Sequence, residues 1–351
     1  MAPGPKSPTG GASVPGDEET GTGDRKGRAR FAGLARTPSL IAGIVLLGIY
    51  AGVGALSPLL YPGNPAVLPI HVGTGFACPT ISGPTFSLWP LQGGAFPLGE
   101  TGGLGFNVLQ GLVKGTPYDL LLLTEIIVPA VLVGLLVGTL AGLRGGILDD
   151  VLMALTDSFL AVPEFVVVAL ASIYVLDVVN PADRLWVFGL LVLSVVWAPY
   201  ARVVRARART VAQLPFVEAA RASGASGSRL MIRHVLPNSV YPVFAQVPTT
   251  LASVLTILGG LQYAYTLINP ALCHGLVAPP LAPPPLPFLP SFNFPEWTWV
   301  LANGATAWTP LASANPWWGV VFPALWILVF GLGVILTCDG LNRLLSVESQ
   351  D

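Results

Sequence analysis

The sequence predicts an all-α, polytopic membrane helix bundle with six transmembrane helices. Three observations lead there. Of 351 residues, 53% are hydrophobic and only 10% charged, against about 25% charged in an ordinary soluble domain. Six apolar runs approach the length that crosses a hydrocarbon core, about 20 residues at 1.5 Å per residue. Lys and Arg cluster between alternate runs, as the positive-inside rule requires. Net charge is −1, which gives no electrostatic footprint for nucleic acid, and no nucleic-acid partner is expected.

Residues 1–38, rich in Gly, Pro, Ser, Thr and charge, read as a disordered cytoplasmic tail. The first span is predicted at 39–60, free of charge. Residues 61–117, opening on Tyr61-Pro-Gly-Asn-Pro65, hold too many Gly and Pro to propagate a helix and read as an external loop. A permease-like core follows over 118–347, with spans near 118–143, 151–176, 185–201, 240–267 and 317–338. Between the last two lies a long external loop, 268–316, in which Pro279, Pro280, Pro283, Pro284 and Pro285 crowd together. With the amino terminus inside, the cytoplasmic side holds 15 Lys and Arg, and the outside only Lys114 and Arg184. Both termini are therefore expected in the cytoplasm.

The stretch 202–238 between spans four and five is the most informative. Pro215 favours a helix start. Glu218 falls in the first turn, where it complements the helix dipole, and Arg221 is placed to pair with it. Ala219, Ala220, Ala222 and Ser223 keep that helix slim, and Gly224 suits a left-handed stop. Ser226 or Ser228 is placed to cap a second short helix, and Pro237 is expected to end it. Such a hairpin has too little apolar surface to fold alone and calls for a partner.

Glu218-Ala219-Ala220 followed by Gly224 resembles the Glu-Ala-Ala-x-x-x-Gly coupling signature of binding-protein-dependent ABC importer permeases. His234-x-Leu236-Pro237-Asn238 is similar to the ending found in the dipeptide/oligopeptide/nickel subfamily. Gly145-Gly146, Asp149, Asp157, Pro163, Trp197-Ala-Pro-Tyr200-Ala-Arg202 and Asp339-Gly-Leu341 resemble its C-type subunit. The segment Gly99-Glu-Thr-Gly-Gly-Leu-Gly-Phe-Asn107 departs from the charged run that this family carries before span two. The resemblance implies a type I ABC importer (MetI-like) fold in the plasma membrane, a transport subunit without its own ATPase site. It implies ATP-binding subunits docked at Glu218–Gly224, a second homologous permease subunit, an extracytoplasmic solute-binding protein and membrane lipid as partners. Di- or oligopeptides are the implied cargo, with oligosaccharide or nickel as alternatives. A proton-coupled secondary transporter is a rival of another class.

No GxxxxGK[ST] phosphate loop is present, so no cofactor is expected, and ATP is assigned to the partner subunit. Ionisable residues inside spans are candidates by default: Asp157 for a structural role, Glu125 and Glu164 for snorkelling or cargo contact. Arg202, Arg205, Arg207 and Arg209 read as anchors near lipid headgroups. Cys78 and Cys273 fall on the two outer loops, as a candidate disulfide or as two free thiols. Three scattered histidines and no CxxC spacing leave no expected metal site.

Overall fold

A computed structural model describes residues 37–62, 97–100, 107–180, 183–268, 296–306 and 317–348. Cys78, Cys273 and the tail before residue 37 lie outside the described residues. The helices are α1 (Pro38–Leu60), α2 (Val108–Arg144), α3 (Gly146–Ala161), α4 (Glu164–Val178), α5 (Arg184–Val196), α6 (Ala198–Ala212), α7 (Pro215–Ala222), α8 (Gly227–Leu230), α9 (Leu236–Ser239), α10 (Tyr241–Ile268), α11 (Trp297–Thr306) and α12 (Trp318–Glu348).

Four of these, α1, α2, α10 and α12, are single helices long and apolar enough to span a membrane. Two bent pairs, α3 with α4 at 76° and α5 with α6 at 42°, are long and apolar enough to be one span each. Counting each pair once gives six. The spans predicted at 151–176 and 185–201 each contain one of these bends. Val162 (φ −99°, ψ 134°) is extended because the ring of Pro163 disfavours a helical residue before it. At the second bend Pro199 lacks the N–H that would continue the ladder from α5. The indole Nε1 of Trp197 turns back to donate to the Ser194 carbonyl at 3.0 Å.

Two predicted loops contain helix. Residues 108–117, read as part of an external loop, open α2, because the Asn107 side chain caps the Gln110 N–H at 3.2 Å. Burial of Val108 and Leu112 then outweighs the poor propensity of Gly111, Gly115 and Pro117. Inside the predicted loop 268–316 lies α11, whose Trp297 is fully buried. Its ring meets Tyr50 of α1 and Phe330 of α12 edge-on, at 5.7 and 5.0 Å between centroids. Its indole N–H donates toward the Leu112 carbonyl and the Thr116 hydroxyl, each at 3.2 Å. Together these contacts tie α11 across α1, α2 and α12.

Glu296, just before α11, is buried beside Asp119, which accepts the Trp297 backbone N–H at 2.9 Å. The Gln262 amide donates to Glu296. Burial pushes the Glu296 carboxyl from 4.5 up to about 7. A carboxyl raised in the folded state is ionised first in the unfolded chain, so its contribution to stability falls as pH rises from 4.5 through about 7 and is level outside that window. The detergent-solubilised protein is expected to melt at lower temperature at pH 8 than at pH 5, and Glu296→Gln is expected to flatten that slope. A slope unchanged in Glu296→Gln would assign it to another group.

The most extensive seam joins α2 to α6. Gly134, Gly138 and Gly142 recur every four residues on one face of α2, so α6 approaches to backbone distance. A Cβ on Gly138 would lie 2.5 Å from the Ala201 carbonyl oxygen, and one on Gly142 would lie 2.7 Å from the Ala208 Cβ. The main core runs along this seam, through Leu122, Ile126, Val192, Tyr200, Val204, Val254 and Leu258.

Candidate functional site: the helical hairpin after α6

The arginines at 202–209 stand on α6 and not in a loop, which corrects the expected start of the coupling loop at 202. Arg202, Arg205 and Arg209 lie three and four residues apart and so share one face. Across from them, Asp149 and Asp157 of α3 are eight apart and also share a face. Arg205 holds the Asp149 carboxylate with both nitrogens of its fork, Nε to Oδ1 at 2.5 Å and Nη2 to Oδ2 at 2.7 Å. Arg209 adds a third contact to Asp149. The Asp149 side chain is 0% exposed, so it cannot exchange these partners for water. Arg202 pairs with Asp157 at 2.5 Å, but both side chains are 58% exposed, and a pair so open to solvent adds little. The structural role expected for Asp157 therefore belongs mainly to Asp149. Asp149→Asn is expected to destabilise the fold by about 3 kcal/mol, the low end for a broken buried pair because both arginines keep some solvent access. A thermal melt in detergent measures it, and Asp157→Asn serves as the weaker comparison.

Arg207 faces the other way. Its guanidinium sits 4.8 Å over the Tyr241 ring, and its Nε donates to the Asn238 carbonyl at 3.4 Å. It thus fastens α6 to the end of the hairpin.

The hairpin begins at Leu214. Pro215 occupies the first turn of α7, and Gly224 stands at φ 83° beyond its end. Two backbone bonds close the helix there, Ala225 N–H to Ala220 O at 3.1 Å and Gly224 N–H to Arg221 O at 3.0 Å. This is the paired C-terminal lock that needs a left-handed residue, which glycine supplies at no steric cost. The Ser226 hydroxyl caps α8 by accepting the Arg229 N–H at 3.4 Å.

Pro237 does not end the second helix, which corrects that expectation. It sits in the first turn of α9, after a π-helical turn at Met231–Val235 that absorbs its missing donor. The side chain of Asn238 donates to the His234 carbonyl at 2.6 Å, and the His234 ring lies 6.3 Å from that of Phe216. Leu236 is half-buried.

A small core of its own holds the hairpin: Val217, Leu230 and Val235 pack on Ala208 and Val211 of α6, with Leu143, Leu214, Ala220 and Ala225 around them. Glu218, Ala219 and Gly224 stay exposed. The expected pair between Glu218 and Arg221 is not formed among the described residues. Glu218 is thus presented outward with no ion-pair partner among the described residues.

The remaining candidates do not converge. Glu125 packs its carboxylate onto Gly189 of α5, where a Cβ would lie 2.6 Å from its Cδ. Glu164 opens α4 and lies against the Ser253 hydroxyl of α10. Neither is near the hairpin core. The sequence reading names Asp149, Arg205 and Arg209 but misses their pairing, and it misses the glycines 134, 138 and 142. Their spacings carry the signal, since each set falls on one helical face.

Residues 134–267, which contain the glycine seam, the ion cluster and the hairpin, match the family described as binding-protein-dependent transport system inner membrane component. The chain is 30% identical over 267 residues to the di/tripeptide transport system permease protein DppC of Pseudomonas aeruginosa, covering 74% of this chain and 76% of the relative. It is 28% identical to the probable D,D-dipeptide transport system permease protein DdpC of Escherichia coli, covering 70% and 72%. It is 26% identical to the oligopeptide transport system permease protein OppC of Bacillus subtilis, covering 60% and 58%. The chain belongs to the inner membrane components of binding-protein-dependent transport systems, and is a multi-pass ABC permease subunit of the DppC/OppC type.

Proposed function

We propose that this subunit forms half of the translocation pore of an importer for di- or oligopeptides, and that α7 is the element through which ATP-binding subunits drive it. One observation carries this: a slim helix exposes Glu218, Ala219 and Gly224 while its buried side is locked to α6, and α6 is locked to α2. A push on α7 is then transmitted to two spans as a rigid body. Closure of the ATP-binding pair would rock them between inward- and outward-open states, the general transporter solution. A second, homologous permease completes the pore, and an extracytoplasmic binding protein delivers cargo to the outer segments. Both termini lie in the cytoplasm in this arrangement, supported by the 15-to-2 distribution of Lys and Arg. Peptide cargo is supported by the relatives named above.

Co-expression with the candidate ATP-binding and permease partners, affinity purification on this chain and reconstitution into liposomes test the proposal. Both partners are expected to co-purify, and binding protein loaded with a di- or tripeptide is expected to stimulate ATP hydrolysis. Uptake that persists without ATP and fails with an uncoupler would overturn it in favour of proton coupling.

A further inference from the structure

Where the hairpin meets the inner end of α2 there is a cleft of about 380 Å³, lined by Leu140, Leu143, Arg144, Arg221, Ser228 and Met231 among others. Two cations line it, both exposed. Arg202, Arg205 and Arg209 are paired with carboxylates, and Arg207 with a ring and a carbonyl. Arg144 and Arg221 have no side-chain partner among the described residues. They come from different elements, the last residue of α2 and the last turn of α7, yet line one cleft. The hairpin at 214–238 adds Arg229 and Arg233 against the single acid Glu218, so the surroundings are net positive. This positive charge is complementary to an anion.

A stripe on α2 leading out of the cleft says which anion. Leu132 and Leu136 of α2 are 60% and 50% exposed. With Leu140 and Arg144 they recur every four residues, forming one stripe down the helix. This stripe lies away from Gly134, Gly138 and Gly142, which face α6. An apolar track along a membrane span therefore runs directly into the cleft and ends on a guanidinium. A free phosphate has no use for such a track, and neither has an acidic side chain of a docked protein. A phospholipid uses both parts, with an acyl chain along Leu132, Leu136 and Leu140 and a headgroup phosphate between planar guanidiniums that match its oxygens.

We propose that the cleft binds one anionic phospholipid of the inner leaflet, whose phosphate bridges Arg144 and Arg221 and so joins the end of α2 to the hairpin. The proposal rests on the inner-face placement of the hairpin given above. A lipid in this position adds a second link between a span and α7, besides the seam with α6.

The test is native mass spectrometry of the purified transporter complex, offered phosphatidylglycerol or phosphatidylcholine with identical chains. Wild type is expected to retain phosphatidylglycerol selectively. Arg144→Gln is expected to reduce that retention about tenfold, the scale of one lost charge-assisted contact, while Arg144→Lys keeps most of it. Ser228→Trp, which fills the cleft and leaves both charges in place, is expected to give the same loss and serves if Arg144→Gln does not fold. Arg202→Gln, whose solvent-exposed pair with Asp157 adds little, is expected to have no effect. Equal retention of the two lipids, or retention unchanged in both Arg144→Gln and Ser228→Trp, would overturn the proposal. So would displacement by glycerol 3-phosphate at equal concentration, which would mark a simple anion site. Retention only when the ATP-binding subunits are absent would assign the cleft to an acidic group of theirs, and would also overturn it. Failure of those subunits to co-purify sinks the docking reading, whereas an intact complex without lipid selectivity sinks only the lipid site.

Discussion

Gly138→Leu is expected to abolish the packed fold of the α2/α6 pair, and with it any stable protein in detergent. The Cβ alone would sit 2.5 Å from the Ala201 carbonyl oxygen and 2.8 Å from the Val204 Cβ. Backbone cannot step aside as a flexible side chain can, and Gly134 and Gly142 fix the helices at the same separation above and below. Forcing a larger residue into a well-packed site costs about 1–3 kcal/mol, and more where backbone is displaced. Leucine at this position is expected to exceed 3 kcal/mol. Gly48 of α1 makes the comparison, since a Cβ there would meet nothing within 4 Å. Gly48→Leu is expected to express and melt like wild type. Equal melting of the two variants would mean that the seam is not the close contact described.

Glu218→Lys is expected to lower ATP-driven uptake at least tenfold with no loss of membrane-inserted protein. Glu218 is exposed and has no ion-pair partner among the described residues, so the fold itself gives up little. Losing a negative charge from the first turn of α7 affects that helix by about 0.3–1 kcal/mol, far too little to unfold the chain. The effect falls instead on whatever α7 docks against, where a reversed charge is repelled. Glu218→Gln, which keeps the shape, is expected to be milder. Wild-type uptake in Glu218→Lys would remove Glu218 from the docking surface.

The sequence reveals those parts of the fold that depend on neighbours in the chain. Apolar runs locate the spans, because length and hydropathy alone decide membrane crossing. The local signals Pro215, Glu218, Gly224 and Ser226 locate the hairpin helices, because capping is satisfied within a few residues. The bends are harder to see. A hydropathy window averages across Pro163 and Pro199, and neither residue changes the apolar total. Hardest are pairings between distant segments. Arg205 and Asp149 are 56 residues apart, and nothing near either one announces the other. Trp297 stands among prolines that argue for a loop, and only its contacts with Tyr50, Thr116 and Phe330 explain why a helix forms there. Pro237 misleads for a physical reason: a π turn can accommodate a missing donor, so proline need not end a helix.

Cross-linking from Ala219→Cys tests the docking of α7 most directly, since Ala219 is exposed beside Glu218. With a short bifunctional reagent on membranes containing the assembled transporter, an adduct to the ATP-binding subunit is expected, and a membrane-impermeant thiol reagent added outside intact cells should leave Ala219→Cys unlabelled. Labelling from outside, or an adduct only to the extracytoplasmic binding protein, would contradict the account.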